Sequence, residues 1–98
     1  MSTAGPHRFE VRLRSTRVQK ELDAVPHIDR RRILATLQAL SAEPRPMGCE
    51  KLYDSVYRVR VGQWRIIYLV ADDLQRVDIG GIRRRNERTY RRVEDMFG

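Results

Sequence analysis

The sequence predicts a small α+β domain with the element order β-α-α-β-β-β-α. Three observations carry that prediction. Apolar residues recur with period two at residues 8–14 and again at 52–61, and with helical spacing between those stretches. The two helical stretches are consecutive, set between one N-terminal strand and a run of three strands, which is the segregated order of an α+β fold. The connections within that strand run are short, as an antiparallel meander requires. The expected architecture is a helical hairpin packed on a small, mainly antiparallel twisted sheet.

Each element has its own warrant. In RFEVRLR (residues 8–14), Phe9, Val11 and Leu13 share one face, while Arg8, Glu10, Arg12 and Arg14 share the other. Ser15 or Thr16 offers an N-cap. Val18, Leu22 and Val25 then follow at i, i+4, i+7, one face of a helix that Pro26 ends. The second helix covers residues 27–42, with Ile33, Leu37 and Leu40 as its apolar stripe, widened by Leu34. Asp29 lies at its positive N-terminal end. Pro44, Pro46 and Gly48 stop it. The single short turn at Pro26 makes the two helices an antiparallel hairpin. Period two returns in LYDSVYRVRV (52–61), where Tyr57, Val59 and Val61 oppose Arg58 and Arg60. Gly62-Gln63 is a Gly-X connection suited to a tight hairpin. WRIIYLVA (64–71) is almost wholly apolar, as a central strand covered on both faces would be. Asp72-Asp73 turn the chain, and 74–82 forms the last strand, with Val77 and Ile79 as core and Gly80-Gly81 read as a turn. Tyr90, Val93 and Phe97 share one face of a short C-terminal helix. The first strand joins the meander at its edge or in its middle.

The chain has 98 residues, one domain's worth. Residues 1–7 read as a flexible leader and 8–98 as a single domain. The leader has no apolar h-region, and no apolar run approaches the roughly 18 residues of a membrane span. Cys49 is the one cysteine, so no internal disulfide forms and the reading fits a reduced, cytoplasmic protein. His7 and His27 are the only histidines, and they do not sit in any metal-ligand spacing. No nucleotide fingerprint or nucleophile elbow occurs either. No metal or cofactor is expected.

Charge is the informative bulk property. Lys and Arg number 20 against 13 Asp and Glu, a net charge of +7. Only Lys20 and Lys51 are lysines. In RRRNERTYRR (83–92), six of ten residues are arginine. Such a balance implies an anionic partner. Arg58 and Arg60 are two apart and project from one sheet face. Pairing across Gly62-Gln63 sets Val61 opposite Trp64 and Arg60 opposite Arg65, so Arg58, Arg60 and Arg65 can share that face. Crowded like charges repel, and a fold tolerates them for solvation or for an anionic ligand. The strand that follows leads into Arg83, Arg84 and Arg85. Tyr90 reads either as core or as a base-stacking phenol, Trp64 and Tyr68 read as core, and Arg30, Arg31 and Arg32 as a solvated helix face.

Three motifs, in this order, resemble those of the RelE/ParE superfamily of toxins from toxin–antitoxin pairs. EPRPMGCEKL resembles the family's Pro-Arg-x-x-Gly loop followed by Lys-Leu. YRVRVGQWRIIY resembles its strand pair, R-x-G-x-x-R-x-x-Y, and RRNERTY resembles its basic segment ending in Tyr. The resemblance covers residues 8 to 93. It favours the RelE branch, and so implies a metal-independent mRNA endoribonuclease acting on translating ribosomes, by attack of a 2′-hydroxyl on the neighbouring phosphate. It also implies a cognate antitoxin. Carried over by motif, Arg65, Arg84 or Arg85, and Tyr90 fall on catalytic positions. Arg58, Arg60, Lys51 and Arg83 fall on phosphate-binding ones. The RelE branch often has lysines where this chain has Arg58 and Arg60. A guanidinium, with a pKa of about 12.5–13.8, is a poor base and a good phosphate fork. The alternatives are a ParE-like toxin that inhibits DNA gyrase by protein contact, and a non-catalytic nucleic-acid-binding remnant.

Overall fold

The computed structural model describes residues 8–85, 96 and 97. They form strand β1 (Glu10–Leu13), helices α1 (Thr16–Asp23) and α2 (His27–Ala42), and strands β2 (Glu50–Tyr53), β3 (Val56–Val61), β4 (Trp64–Ala71) and β5 (Arg76–Arg84). The five strands make one mixed sheet in the order β1-β5-β4-β3-β2. Strands β2 to β5 form the expected antiparallel meander, and β1 joins its edge parallel to β5, with Glu10 beside Arg76 and Leu13 beside Ile79. β4 is the central strand, as its almost wholly apolar run requires. No described helix is long and apolar enough to cross a membrane.

Two expectations need correction. Residues 52–61 are not one strand. Asp54, at φ 44°, and Ser55 turn the chain, so β2 and β3 form an extra hairpin. Asp is among the few side chains that accept a left-handed backbone. Gly80-Gly81 are not a turn either. They lie buried inside β5, which runs on through Arg83 and Arg84. The pairing with β4 slips at Gly80, between Ile67 opposite Gly81 and Tyr68 opposite Ile79. That slip is a β-bulge. Most of the expected C-terminal helix, Tyr90 and Val93 included, and the leader lie outside the described residues.

One face of the sheet carries the helical hairpin. Val18, Leu22 and Val25 of the first helical stripe meet Ile33, Leu37 and Leu40 of the second over Val61, Trp64, Ile66, Tyr68, Val77, Ile79 and Ile82. Burying a side chain of that size stabilises the fold by about 1.5–3 kcal/mol. Leu34 does not join this core: it is 47% exposed and lines an apolar groove with Val11, Leu13, Leu22 and Leu37. Ser15 takes the N-cap position of α1 but makes no side-chain cap bond. Beyond Leu13, where β1 stops, α1 serves the uncovered edge of β5. Glu21 Oε1 accepts the Ile82 N–H at 3.0 Å, and Arg17 Nη2 donates to Gly80 O at 2.9 Å.

The loop after α2 is pinned to the far end of the sheet. Arg45 donates to both carboxylate oxygens of Asp72, at 3.1 and 2.6 Å, and to Tyr57 Oη at 2.9 Å. The bidentate guanidinium holds the Asp72 carboxyl below its ordinary range. Tyr68 Oη donates to Pro44 O at 2.8 Å, and burial raises the phenol's pKa well above normal.

Among the described residues, the opposite face divides in two. Met96 and Phe97 cover one half, with Val56 and Ile67 beneath them and Leu52, Tyr53 and Leu69 packed alongside. The other half, near the β3–β4 turn, carries arginines.

Candidate nucleic-acid interface

The β3–β4 turn sets the site. Gly62 takes φ +60° and Gln63 does not, the sign pattern of a II′ hairpin turn. That turn fixes the register: Val61 lies opposite Trp64, Arg60 opposite Arg65, and Arg58 opposite Ile67. On the other side of β4, Arg65 lies opposite Arg83. Arg60, Arg65 and Arg83 therefore form a row across three adjacent strands, and Arg58 flanks it on the same face. Directly opposed residues in such a sheet have Cβ atoms about 4.5–5.5 Å apart.

The row is held in place from below. Arg65 is only 5% exposed, and its Nη1 donates to Gly62 O at 3.1 Å and to Trp64 O at 2.9 Å. Two backbone carbonyls thus orient this guanidinium against the turn. Arg58 pairs with Glu50, directly opposite it on β2. Arg83 Nε approaches Glu21 Oε2 at 3.6 Å. Arg60 is exposed and makes no ion pair among the described residues. Carboxylates at the two flanks and carbonyls at the centre reduce the repulsion that three adjacent cations impose.

The remaining site expectations are placed differently. Arg84 lies opposite Trp64, on the helix side, with its guanidinium 4.9 Å from the indole centroid and Nη1 3.5 Å from Gln63 Oε1. The strand continues through Gly80-Gly81, so successive arginines alternate faces. Arg85 is exposed beside the turn, its N–H donating to Gln63 O at 2.6 Å. Lys51 lies opposite Tyr57, and so belongs to the helix-side face, away from the row. Tyr90 lies outside the described residues. Trp64 and Tyr68 are buried, Trp64 donating Nε1–H to Asp29 Oδ2 at 3.1 Å. Sequence reading overlooked Glu50 and Glu21 as partners of the row. Glu50 could have been found once Asp54-Ser55 was taken as a turn, because the hairpin register then sets it against Arg58.

A mixed sheet backed by helices on one face, with a row of arginines on the other, defines a class: a small basic α+β protein. The chain belongs to the RelE/ParE superfamily of toxins, since residues 13–89 match the family described as the ParE toxin of the type II toxin–antitoxin system, parDE. No match is found among curated proteins. Among solved structures, the chain is similar to the archaeal RelE–RelB complex from Pyrococcus horikoshii OT3, with 28% identity, a TM-score of 0.75, and coverage of 82% of this chain and 98% of that one. The toxin–antitoxin complex RelBE2 of Mycobacterium tuberculosis aligns at 22% identity and TM-score 0.70, over 80% of this chain and 92% of that one. A free Escherichia coli RelE carrying two arginine-to-alanine substitutions shares the fold at 17% identity and TM-score 0.76, covering 93% and 99%.

Proposed function

We propose that the chain is the toxin of a type II toxin–antitoxin pair and cuts mRNA on translating ribosomes in the cytoplasm. The observation that carries this reading is the cross-strand row Arg60–Arg65–Arg83 on a rigid sheet, its central guanidinium preset by backbone carbonyls. A chain phosphate laid on that row meets the exposed fork of Arg60 and the half-buried one of Arg83, while the buried Arg65 adds positive charge beneath it. As the ribose 2′-oxygen attacks the adjacent phosphorus, negative charge grows on the non-bridging oxygens. Preset cations stabilise that charge more than they stabilise the ground state. The bond to the 5′-oxygen breaks, the 2′-hydroxyl loses its proton, and the leaving 5′-oxygen gains one. The guanidinia bind phosphate and transition-state charge and do not move protons. Tyr90 enters as the proton-transfer or base-stacking group on the resemblance alone, as do Arg84 and Arg85 as further cations and Lys51 as a phosphate contact.

A cognate antitoxin belongs to the proposal, because two of the similar structures are toxin–antitoxin complexes. The apolar groove along Val11, Leu13, Leu34 and Leu37 and the basic face beyond it suit an acidic, partly helical segment.

The test is induction in a bacterial host, followed by mapping of mRNA 5′ ends. New in-frame cuts should appear with growth arrest. Arg83→Gln should lower cleavage about 10²-fold, the usual cost of one transition-state donor. The matched family carries the ParE name, which favours a second reading, gyrase inhibition by protein contact. Growth arrest with intact mRNA, DNA damage and filamentous cells would select it. RNA binding with neither cleavage nor arrest would mark a non-catalytic remnant.

A further inference from the structure

Arg83 is held from another layer of the fold, unlike Arg65, which is set by the carbonyls of its own turn. Its side chain folds back along β5, with Nε 3.6 Å from where a Cβ on Gly81 would lie. Residues two apart share a sheet face, so a larger side chain at position 81 would crowd that path. Bent this way, Arg83 Nε comes to 3.6 Å from Glu21 Oε2, on α1.

An ion pair between two partly exposed side chains has little hold of its own. Glu21 differs because both its oxygens are already engaged. Oε1 accepts the Ile82 N–H at 3.0 Å, and Oε2 accepts from Arg17 Nη1 at 2.8 Å. Arg17 is in turn tied to Gly80 O at 2.9 Å. The carboxylate is thus built into the β5 edge on both sides of Gly81, and it cannot swing without breaking an edge bond. It meets Arg83 at Nε, the guanidinium nitrogen nearest the backbone. The guanidinium is planar and rigid, so a contact there sets the plane of the whole fork.

Charge and position make opposite demands at this place. A carboxylate close to a phosphate site weakens phosphate binding by repulsion. A fork set at the wrong angle loses its grip on the charge that grows during reaction, and a misplacement of about 1 Å can cost about 10²-fold in rate. Removing a carboxylate that only balanced charge would leave the rate unchanged or raise it. Removing one that sets the fork would lower it.

We infer that Glu21 is a positioning residue for the row. Its Oε1 closes the edge of β5 that β1 leaves uncovered, and its Oε2 fixes the Arg83 guanidinium at the angle that meets the transition-state phosphate. This rests on the RNA-cutting reading above. Glu21 itself meets no substrate and moves no proton.

The test compares the full chain with Glu21→Gln, Arg83→Gln and the double variant. Glutamine keeps an oxygen for the Ile82 N–H but presents no charge to Arg83. The first measurement is the NMR signal of the Arg83 Nε–H, identified by its loss in Arg83→Gln. That hydrogen should exchange with water at least about tenfold faster in Glu21→Gln than in the parent, while the Ile82 amide stays within about threefold. The second is the rate at which a reporter mRNA is cut on translating ribosomes in a purified translation system, measured against ribosome concentration. Glu21→Gln should lower kcat about tenfold and leave KM unchanged or lower. On the Arg83→Gln background the same substitution should change kcat by less than about twofold, since the fork it sets is gone. A kcat at or above the parent's would overturn the role and leave Glu21 as charge balance alone. So would a tenfold loss that recurs in full in the double variant, the mark of a damaged fold. Equal exchange of the Arg83 Nε–H in parent and Glu21→Gln would also sink it, because there would be no hold to lose. A parent that keeps the slow Arg83 signal but leaves the mRNA intact would overturn the RNA-cutting reading instead.

Discussion

Arg65 shows what can be achieved by one residue's setting. A cation on a central strand is costly to bury unless its donors are satisfied. Here the β3–β4 turn supplies the acceptors, Gly62 O and Trp64 O. Its face and its neighbour Arg60 were legible in the sequence, because a two-residue turn dictates register. Its carbonyl partners were not, since they depend on turn geometry. Tyr68 is the other residue whose setting has a measurable consequence. Its phenol titrates near 10 when free, and burial raises that value in the folded chain. Above pH 10 the unfolded phenol ionises while the folded one keeps its proton. The folded state then binds more protons, and stability must fall as pH rises. Its contribution is therefore complete below pH 10 and is lost from there toward the folded pKa. Urea melts of the parent between pH 8 and 11 should show that alkaline loss. In Tyr68→Phe the loss should be smaller, with a constant deficit of about 1 kcal/mol from the bond to Pro44 O. An identical alkaline slope in the variant would refute the assignment.

Among the elements, β5 departs most from its sequence pattern. Two adjacent glycines suggest a break, yet these two lie inside a strand because the C-terminal residues press on them. A Cβ on Gly80 would sit 2.7 Å from Phe97 Cε1, and one on Gly81 would sit 2.8 Å from Met96 Cε. That requirement is tertiary, between residues far apart in the chain, so no local pattern could reveal it. The same misreading hid the alternation that sends Arg84 to the helix side. In a strand without such a contact, Gly→Ala is favourable by about 0.5–1 kcal/mol. Gly80→Ala should instead destabilise by about 1–2 kcal/mol through overpacking. In a Phe97→Ala background the same substitution should become neutral or stabilising. A double-mutant cycle by thermal melting measures the sign change, and the idea fails if Gly80→Ala has the same effect in both backgrounds. The spans of α1, α2 and β4, by contrast, were legible, although Leu34 lies outside the core it was read into. Their apolar spacing is long, regular and bounded by Pro26 and by the Pro44–Gly48 loop.

Across the whole molecule, helices on one face free the other for charge. The helix-side core takes Val18, Leu22, Val25, Ile33, Leu37 and Leu40 of the helical hairpin and the alternate apolar side chains of the inner strands. Among the described residues, the opposite face is left to Met96 and Phe97 at one end and arginines at the other. The sheet's outer strand has a different character. β1 is four residues long, alternates between exposed and half-buried, and is parallel to β5, its one partner among the described strands. Residue 10 must find residue 76, whereas every other pairing among the described strands joins consecutive strands. In time, then, the meander can close through short turns before β1 docks, because distant loop closure is the slower event. What assembles last on so small a contact area is also what opens first. Hydrogen exchange should show it: the amides of Glu10 and Arg14, bonded to Gln75 O and Ile79 O, should exchange at least about tenfold faster than those of Ile66 and Tyr68 in β4. Equal protection would contradict that order. A segment lying along β1 would then act as a clasp, slowing the opening of the whole sheet from its loosest edge.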